Sequence, residues 1–311
     1  VNVEEIFDYL PKTIMQEIKR LPANDWTEVE EIRMRIGRPL EIAVKGRPLF
    51  LSYIVTKEDG ETFMSKISHH SFYTLEEELK RGYITIEGGH RVGLAGKVIL
   101  ENGQVKGLRH LSSFNIRVAR EMKGISHPLI PFLFQKGWKH TMIIGAPQTG
   151  KTTLLRDIAR VISSGCDQFN IPPLKVGIVD ERSEIAGCLF GIPQLSFGPR
   201  VDVLDACPKA EGMMMMIRSM SPDVLVVDEI GREEDRLAVL EAINAGVKLV
   251  MSTHGDSLEE IQKRPLLADI VNQQLIERYI ELSREDGPGT VSVIRGEKGQ
   301  RLSYKTKVGK G

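Results

Sequence analysis

Gly145, Gly150, Lys151 and Thr152 stand in the run GAPQTGKT, and residue types at this spacing suit one chemistry, the cradling of a polyphosphate. Glycine at both ends of the loop permits backbone angles closed to other residues, so that successive N–H groups can turn inward on an anion at the start of a helix. Ala146, Pro147, Gln148 and Thr149 fill the loop between them. Lys151 has the reach to meet β- and γ-phosphates as a point charge. Thr152 is placed to ligate a bridging Mg2+, and Thr153 to bond the α-phosphate. An apolar run, Thr141 to Ile144, precedes the loop and helix-forming residues follow it, which is the strand–loop–helix context that such a loop requires. ATP with Mg2+ is the expected pair of ligands.

A second group of chemistry-bearing residues follows in DVLVVDEIG. Val224 to Val227 spell a central strand that presents Asp228 and Glu229 at its carboxyl end, where open α/β sheets bind ligands. Asp228 is expected to hold the metal, and Glu229 to accept the proton of an attacking water. Asp180, Glu181 and Arg182 close another apolar run and either orient water or metal or form a salt-bridged loop. His254, in STHG at the end of a third such run, reads as a sensor of the γ-phosphate or as a structural loop histidine.

These residues need a scaffold, and the sequence of 311 residues is long enough for two cored domains. Residues 1–123 predict a smaller α+β N-terminal domain. It opens with an amphipathic helix over residues 1–22 and continues as a strand meander through EIRMRIGRPLEIAVKGRPLFL. Helical spacing over 57–81 follows, with Thr74 and Glu77 as a capping box and Gly82 as the stop. Strands then lead through an Asn102-Gly103 hairpin turn into QVKGLRHL and SSFNIRVARE. Residues 124–140 predict a linker bearing Pro128 and Pro131. Residues 141–311 alternate apolar strands (175–180, 223–229, 247–253) with helices, the pattern of a parallel sheet covered on both faces. The fold class expected is α/β, a RecA-like P-loop domain ending in a hairpin through Gly287-Pro288-Gly289.

Charge and cysteine content narrow the partners. Lys plus Arg equals Asp plus Glu at 42 each, so nothing overall draws the chain to nucleic acid or anionic lipid. Cys166, Cys188 and Cys207 are odd in number and lack metal-ligand spacing, which fits a reducing, cytosolic compartment better than a disulfide scaffold. No stretch has the length and apolarity of a membrane span. The basic residues after 294 form a solvated tail or touch anionic lipid. Arg33, Arg35 and Arg38 read as the wet face of a sheet or as an anion surface. Arg117 and Arg120, which end the last strand before the linker, are candidates to reach the phosphates. Arg200 and Arg218 are candidates to reach a neighbouring subunit's nucleotide. Met213 to Met216 read as helix packing against the sheet.

The blocks EIRMRIGRPLEI, GGHRVGLAGKV, NIRVARE, GAPQTGKTTLLRD, VDERSEIAG, RSMSPDVLVVDEIG and STHG together resemble the stage III sporulation protein AA family over nearly the whole chain. More distantly they are similar to the traffic ATPases of type II and type IV secretion, whose acidic, Walker B and histidine boxes would fall on Asp180-Glu181, Asp228-Glu229 and His254. The resemblance implies a homohexameric ATPase, cytoplasmic in the mother cell and peripheral to the membrane, that energises a membrane-embedded channel or secretion complex. A nucleic-acid-stimulated RecA-like ATPase is the alternative that the same core would serve, and the neutral net charge weighs against it.

Overall fold

The computed structural model describes residues 4–22, 28–68, 75–285 and 287–303, with the backbone alone for residues 76 and 77. The chain forms two compact units, Val1–Glu121 with Gly187–Phe190, and Met122–Ala186 with Gly191–Gly311.

In the first unit the opening amphipathic stretch is two helices, α1 (Glu4–Phe7) and α2 (Lys12–Lys19), rather than one. Pro11 lies between them; a proline inside a helix would remove a hydrogen bond and clash with the preceding turn, so the helix restarts after it. The meander is present as β1 (Val29–Arg35), β2 (Pro39–Val44) and β3 (Arg47–Ile54), followed by β4 (Tyr83–Ile86), β5 (His90–Glu101) and β6 (Gln104–Arg117). They form an antiparallel sheet in the order β3-β2-β1-β6-β5-β4. The two strands expected after Asn102-Gly103 are one long strand, β6. Its irregularity is absorbed opposite Gly96, where the pairing shifts register and a Cβ would lie 2.8 Å from the carbonyls of Arg109 and His110.

Alternation in β1 buries Ile32 and Met34 and turns Arg33 and Arg35 outward, where they bond Glu31 (2.9 Å) and Glu41 (2.5 Å). Helices α3 (Lys57–Ile67) and α4 (Glu76–Arg81) belong to the same unit. The capping box sits on α3, where Thr56 Oγ1 accepts from Asp59 N and the Asp59 carboxylate accepts from Thr56 N. Thr74 lies outside the described residues, as does the side chain of Glu77. Gly82, with φ of 76°, stops α4 as anticipated.

The second unit is built on eight strands: β7 (Thr141–Gly145), β8 (Val176–Asp180), β9 (Val201–Asp205), β10 (Val224–Val227), β11 (Lys248–His254), β12 (Arg278–Ser283), β13 (Thr290–Gly296) and β14 (Arg301–Leu302). Their order is β14-β13-β12-β7-β11-β10-β8-β9; the six from β12 to β9 run parallel, and the last hairpin is antiparallel. Strands buried on both faces explain the continuous apolar runs. In β10, Val224 and Val226 join the core under α6 (Lys151–Ser164), while Leu225 and Val227 join the core on the other face. That other face is covered by α7 (Lys209–Met220), α8 (Glu233–Asn244), α9 (Leu258–Ile261) and α10 (Pro265–Asn272). Of the four successive methionines, Met213 and Met216 are buried there and Met215 is exposed, as helical spacing dictates.

Residues 124–140 pack down on the second unit through a short helix. Leu129, Ile130 and Leu133 of the short turn and α5 (Ile130–Leu133), with Trp138, are buried in the core of this unit. The segment is also fastened by Asp157 of α6, which accepts from Gly124 N (3.0 Å), Ser126 N (2.8 Å) and Ser126 Oγ (2.7 Å). The edge strand β9 has no apolar run to announce it, only partly buried positions that an edge permits. Among the described residues no helix is long and apolar enough to cross a membrane.

At the amino ends of β7, β11 and β12, Glu277 accepts from Lys139 Nζ (2.8 Å), His140 N (2.9 Å) and Lys248 Nζ (2.9 Å). Burial opposes its charge, but these donors outweigh it and hold the carboxyl at about 2. The folded value lies below that of an unfolded glutamate, roughly 4.3, so the stabilisation is whole above that pH and is lost as pH falls through the folded value. Glu277→Gln should therefore lower the unfolding free energy at neutral pH by about 1–2 kcal/mol, the shift being discounted for the water that screens its lysine partners. In urea titrations the gap to the parent protein should narrow as the pH falls below about 4; a gap that does not change with pH would assign the loss to packing instead.

Candidate active site

Strand β7 delivers the glycine-rich loop to the carboxyl edge of the sheet, and α6 begins at Lys151 directly after Gly150, whose φ is 92°. Lys151 is 5% exposed. A buried ammonium needs all three of its donors satisfied, and here Nζ donates to Gly145 O (2.8 Å) and Ala146 O (3.0 Å) and lies 3.1 Å from His254 Nδ1. Burial lowers the lysine's pKa, opposed by the charges of Asp228 and Glu229. With the ammonium donating to Nδ1, the imidazole carries its proton on Nε2, which bonds Glu229 Oε1 at 2.8 Å.

Asp228 and Glu229 leave the end of β10 in different directions. Asp228 accepts from Thr152 Oγ1 (2.6 Å) and from Ser252 Oγ. Glu229 has φ of 55°, an uncommon conformation for a residue with a side chain, held where Glu229 N donates to Ser252 Oγ (3.0 Å) and Ile230 N to Ser252 O (2.8 Å). Its second carboxylate oxygen meets Arg182 Nη1 at 2.8 Å. Lys151, His254, Glu229 and Arg182 thus form a continuous chain of contacts from the glycine-rich loop to the end of β8.

Beside that chain lie the acids that close β8. Asp180, 2% exposed, accepts from the backbone N–H groups of Glu184, Ile185 and Ala186, each at 2.9 Å. Its carboxyl is raised to about 6 by burial, to which Asp205 and Asp228 add and the backbone donors run counter. Glu181 is held by the buried Lys209 and lies 3.6 Å from Arg232 Nη1. In this structure Asp180 caps a loop and Glu181 is in ion pairs.

The structure therefore gathers Gly145 to Thr153, Asp228, Glu229 and His254 at one edge, with Glu181 nearby. Arg117 and Arg120 are placed in the first unit, where they pair with Glu31 (3.5 Å) and Glu28 (3.1 Å). Arg200 donates to Pro173 O, and Arg218 is exposed on α7. Arg182, expected in a salt-bridged loop with Asp180 and Glu181, pairs with Glu229 instead. Two participants were not anticipated: Ser252 bridges both acids, and Arg284 bonds the glycine-rich loop through Pro147 O (2.9 Å), Gln148 O (3.3 Å) and Gln148 Oε1 (2.7 Å). Of these only Ser252 had a signal in the sequence, its place two residues before His254.

Comparison with known proteins is consistent with this geometry. Residues 2–302 match the family described as sporulation stage III, protein AA. The chain is 58% identical to the stage III sporulation protein AA of Bacillus subtilis (strain 168), over 98% of this chain and 99% of that one. Its fold resembles that of the pilus retraction motor PilT, solved with bound ADP (TM-score 0.57, 15% identity, 86% of this chain and 76% of that one). It also resembles the ATPase DotB of Yersinia pseudotuberculosis (TM-score 0.57, 17% identity, 90% and 76%). The chain belongs to the sporulation stage III, protein AA, family and shares an α/β fold with the pilus retraction motor PilT and the ATPase DotB.

Ser252 is fully buried between the two acids. Replacing it by alanine leaves Glu229 N without its acceptor, so Ser252→Ala should lower the unfolding free energy by about 1–3 kcal/mol with an unchanged dependence on denaturant. An unaltered midpoint in urea would mean that water replaces the hydroxyl at no cost.

Proposed function

We propose that this member of the sporulation stage III, protein AA, family is an ATP-hydrolysing motor of the secretion-ATPase type. The observation that carries the reading is the meeting of Lys151, Thr152, Asp228, Glu229 and His254 at the carboxyl ends of β7, β10 and β11. Lys151, an ammonium held by two loop carbonyls, exchanges those partners for the β- and γ-phosphate oxygens, which offer it full negative charge. His254 Nδ1 then loses its donor, and the ring answers to the γ-phosphate only by presenting an N–H on that side, since an unprotonated nitrogen and a phosphate oxygen are both acceptors.

Glu229 is the general base. Water attacks the γ-phosphorus, the bond from that phosphorus to the β–γ bridging oxygen breaks, and the proton of the water passes to the Glu229 carboxylate. For this the carboxylate has to leave at least one of its present partners, His254 or Arg182. Nucleotide binding, which draws Lys151 away from His254, loosens the same chain at its other end. Magnesium fits the donors present, since the Thr152 hydroxyl and the Asp228 carboxylate are adjacent hard oxygens. When bound, the ion neutralises charge on the phosphates.

The wider role carried by the family resemblance is a homohexamer at a membrane-embedded channel or secretion complex, working in the mother cell and peripheral to the membrane. In that setting Arg117 and Arg120 are assigned to the γ-phosphate and Arg200 and Arg218 to a neighbour's nucleotide.

Purified protein should hydrolyse ATP. Lys151→Ala should lose tight binding of ATP, whereas Glu229→Gln should bind ATP and fail to turn it over, because only the base has been removed. Parental turnover in Glu229→Gln would sink the assignment of the base. If subunits complete one another's sites, specific activity should rise with protein concentration before levelling off; a rate independent of concentration from a strict monomer would count against a ring.

A further inference from the structure

The phosphate loop is held from outside by the turn between β12 and β13. Pro147 O and Gln148 O accept from Arg284, and Thr149 O accepts from Gly289 N at 2.7 Å. These are three consecutive carbonyls. In a trans peptide the C=O and the following N–H point in opposite directions, so fixing these three carbonyls on the turn fixes the N–H groups of Gln148, Thr149 and Gly150 away from it, into the loop. Those are the donors that a phosphate needs.

Two further observations show that the turn and the loop are fitted to each other. Gln148 has φ of 62°, unusual for a residue with a side chain, and its amide oxygen is bonded by the same guanidinium at 2.7 Å. At Gly150 an added Cβ would lie 2.8 Å from Gly289 N. The turn reaches the loop because β12 pairs in parallel with β7, with Glu281 opposite Ile144, so that both strands end at the same edge.

We propose that Arg284 is a positioning residue for phosphate binding, its fork preorganising the loop amides before nucleotide arrives. It touches no phosphate. It acts through the peptide units of Pro147 and Gln148, so its effect is on affinity for the phosphate chain and is indifferent to the base. The proposal rests on the reading of residues 145–153 as the phosphate site.

Its test uses the full chain and direct titration with ADP, GDP and inorganic pyrophosphate. Arg284→Ala should weaken all three by a similar factor, about fivefold to tenfold, since a guanidinium partly open to water is lost from three acceptors. KM for ATP should rise in step while kcat stays close to the parental value, the signature of lost ground-state and transition-state binding alike. Arg284→Lys keeps the charge and the aliphatic stem but cannot span three acceptors, so it should recover part of the affinity, and it decides the matter if the alanine variant does not fold. Parental affinity in both variants overturns the proposal, as does a loss confined to adenine nucleotides, which would place Arg284 at the base. Lys151→Ala is the control: if it too binds ADP like the parent, the phosphate site itself has been misread, whereas loss there with retention in the Arg284 variants removes only the clamp.

Discussion

A cation buried without an anion sets the terms for the second unit. Lys151 lies at the first turn of α6, nearly sealed from water, and its three contacts come from Gly145, Ala146 and His254. Burying an ammonium costs several kcal/mol unless each N–H finds a partner. Two loop carbonyls must therefore point at it, which shapes the loop, and a histidine from the end of β11 must present an unprotonated nitrogen, which turns that histidine's proton towards Glu229. The loop, the histidine and Glu229 are arranged around one charge.

The parallel sheet makes this possible. Each strand from β12 to β9 ends at the same edge, so residues distant in sequence arrive side by side without any local signal. Ser252 illustrates what this economy does, one hydroxyl at the end of β11 serving both acids at the end of β10. The opposite edge carries a matching device in Glu277, which ties the amino ends of three strands with three donors. The sheet is fastened at one edge and poised at the other.

How much of this could be read from the residues depends on the distance between partners. The strand–loop–helix around Gly145 to Thr152, the Asp228-Glu229 pair at the end of β10 and most strands of the two sheets were legible because each depends on a local pattern: glycine spacing, an apolar run ending in acids, alternation broken by Gly-Arg-Pro; the edge strand β9, without an apolar run, was not. The split of the opening helix at Pro11 and the capping of α3 by Thr56 and Asp59 were legible in principle from a proline and a Thr-x-x-Asp spacing. The contact of Arg182 with Glu229 and the grip of Arg284 on Pro147 and Gln148 were not legible. Arginine in a polar loop looks the same whether it meets solvent or a carbonyl more than 130 residues away. Asp180 is the subtler case, since its place in an acidic box suggests chemistry, while in the structure its oxygens are taken by three backbone amides.

Strand β7 pairs with Val250 to His254 on one side and with Arg278 to Glu281 on the other. All five of its residues are buried. During synthesis the strand that carries the glycine-rich loop therefore emerges more than a hundred residues ahead of either neighbour, as an apolar segment with both of its hydrogen-bonding edges open. Such non-local pairing is slow to form and exposed to misassociation while it waits. Until those neighbours are made, cover for β7 has to come from the chain around it, from α6 and from the segment before it, whose Leu129, Ile130, Leu133 and Trp138 share one core with Ile143.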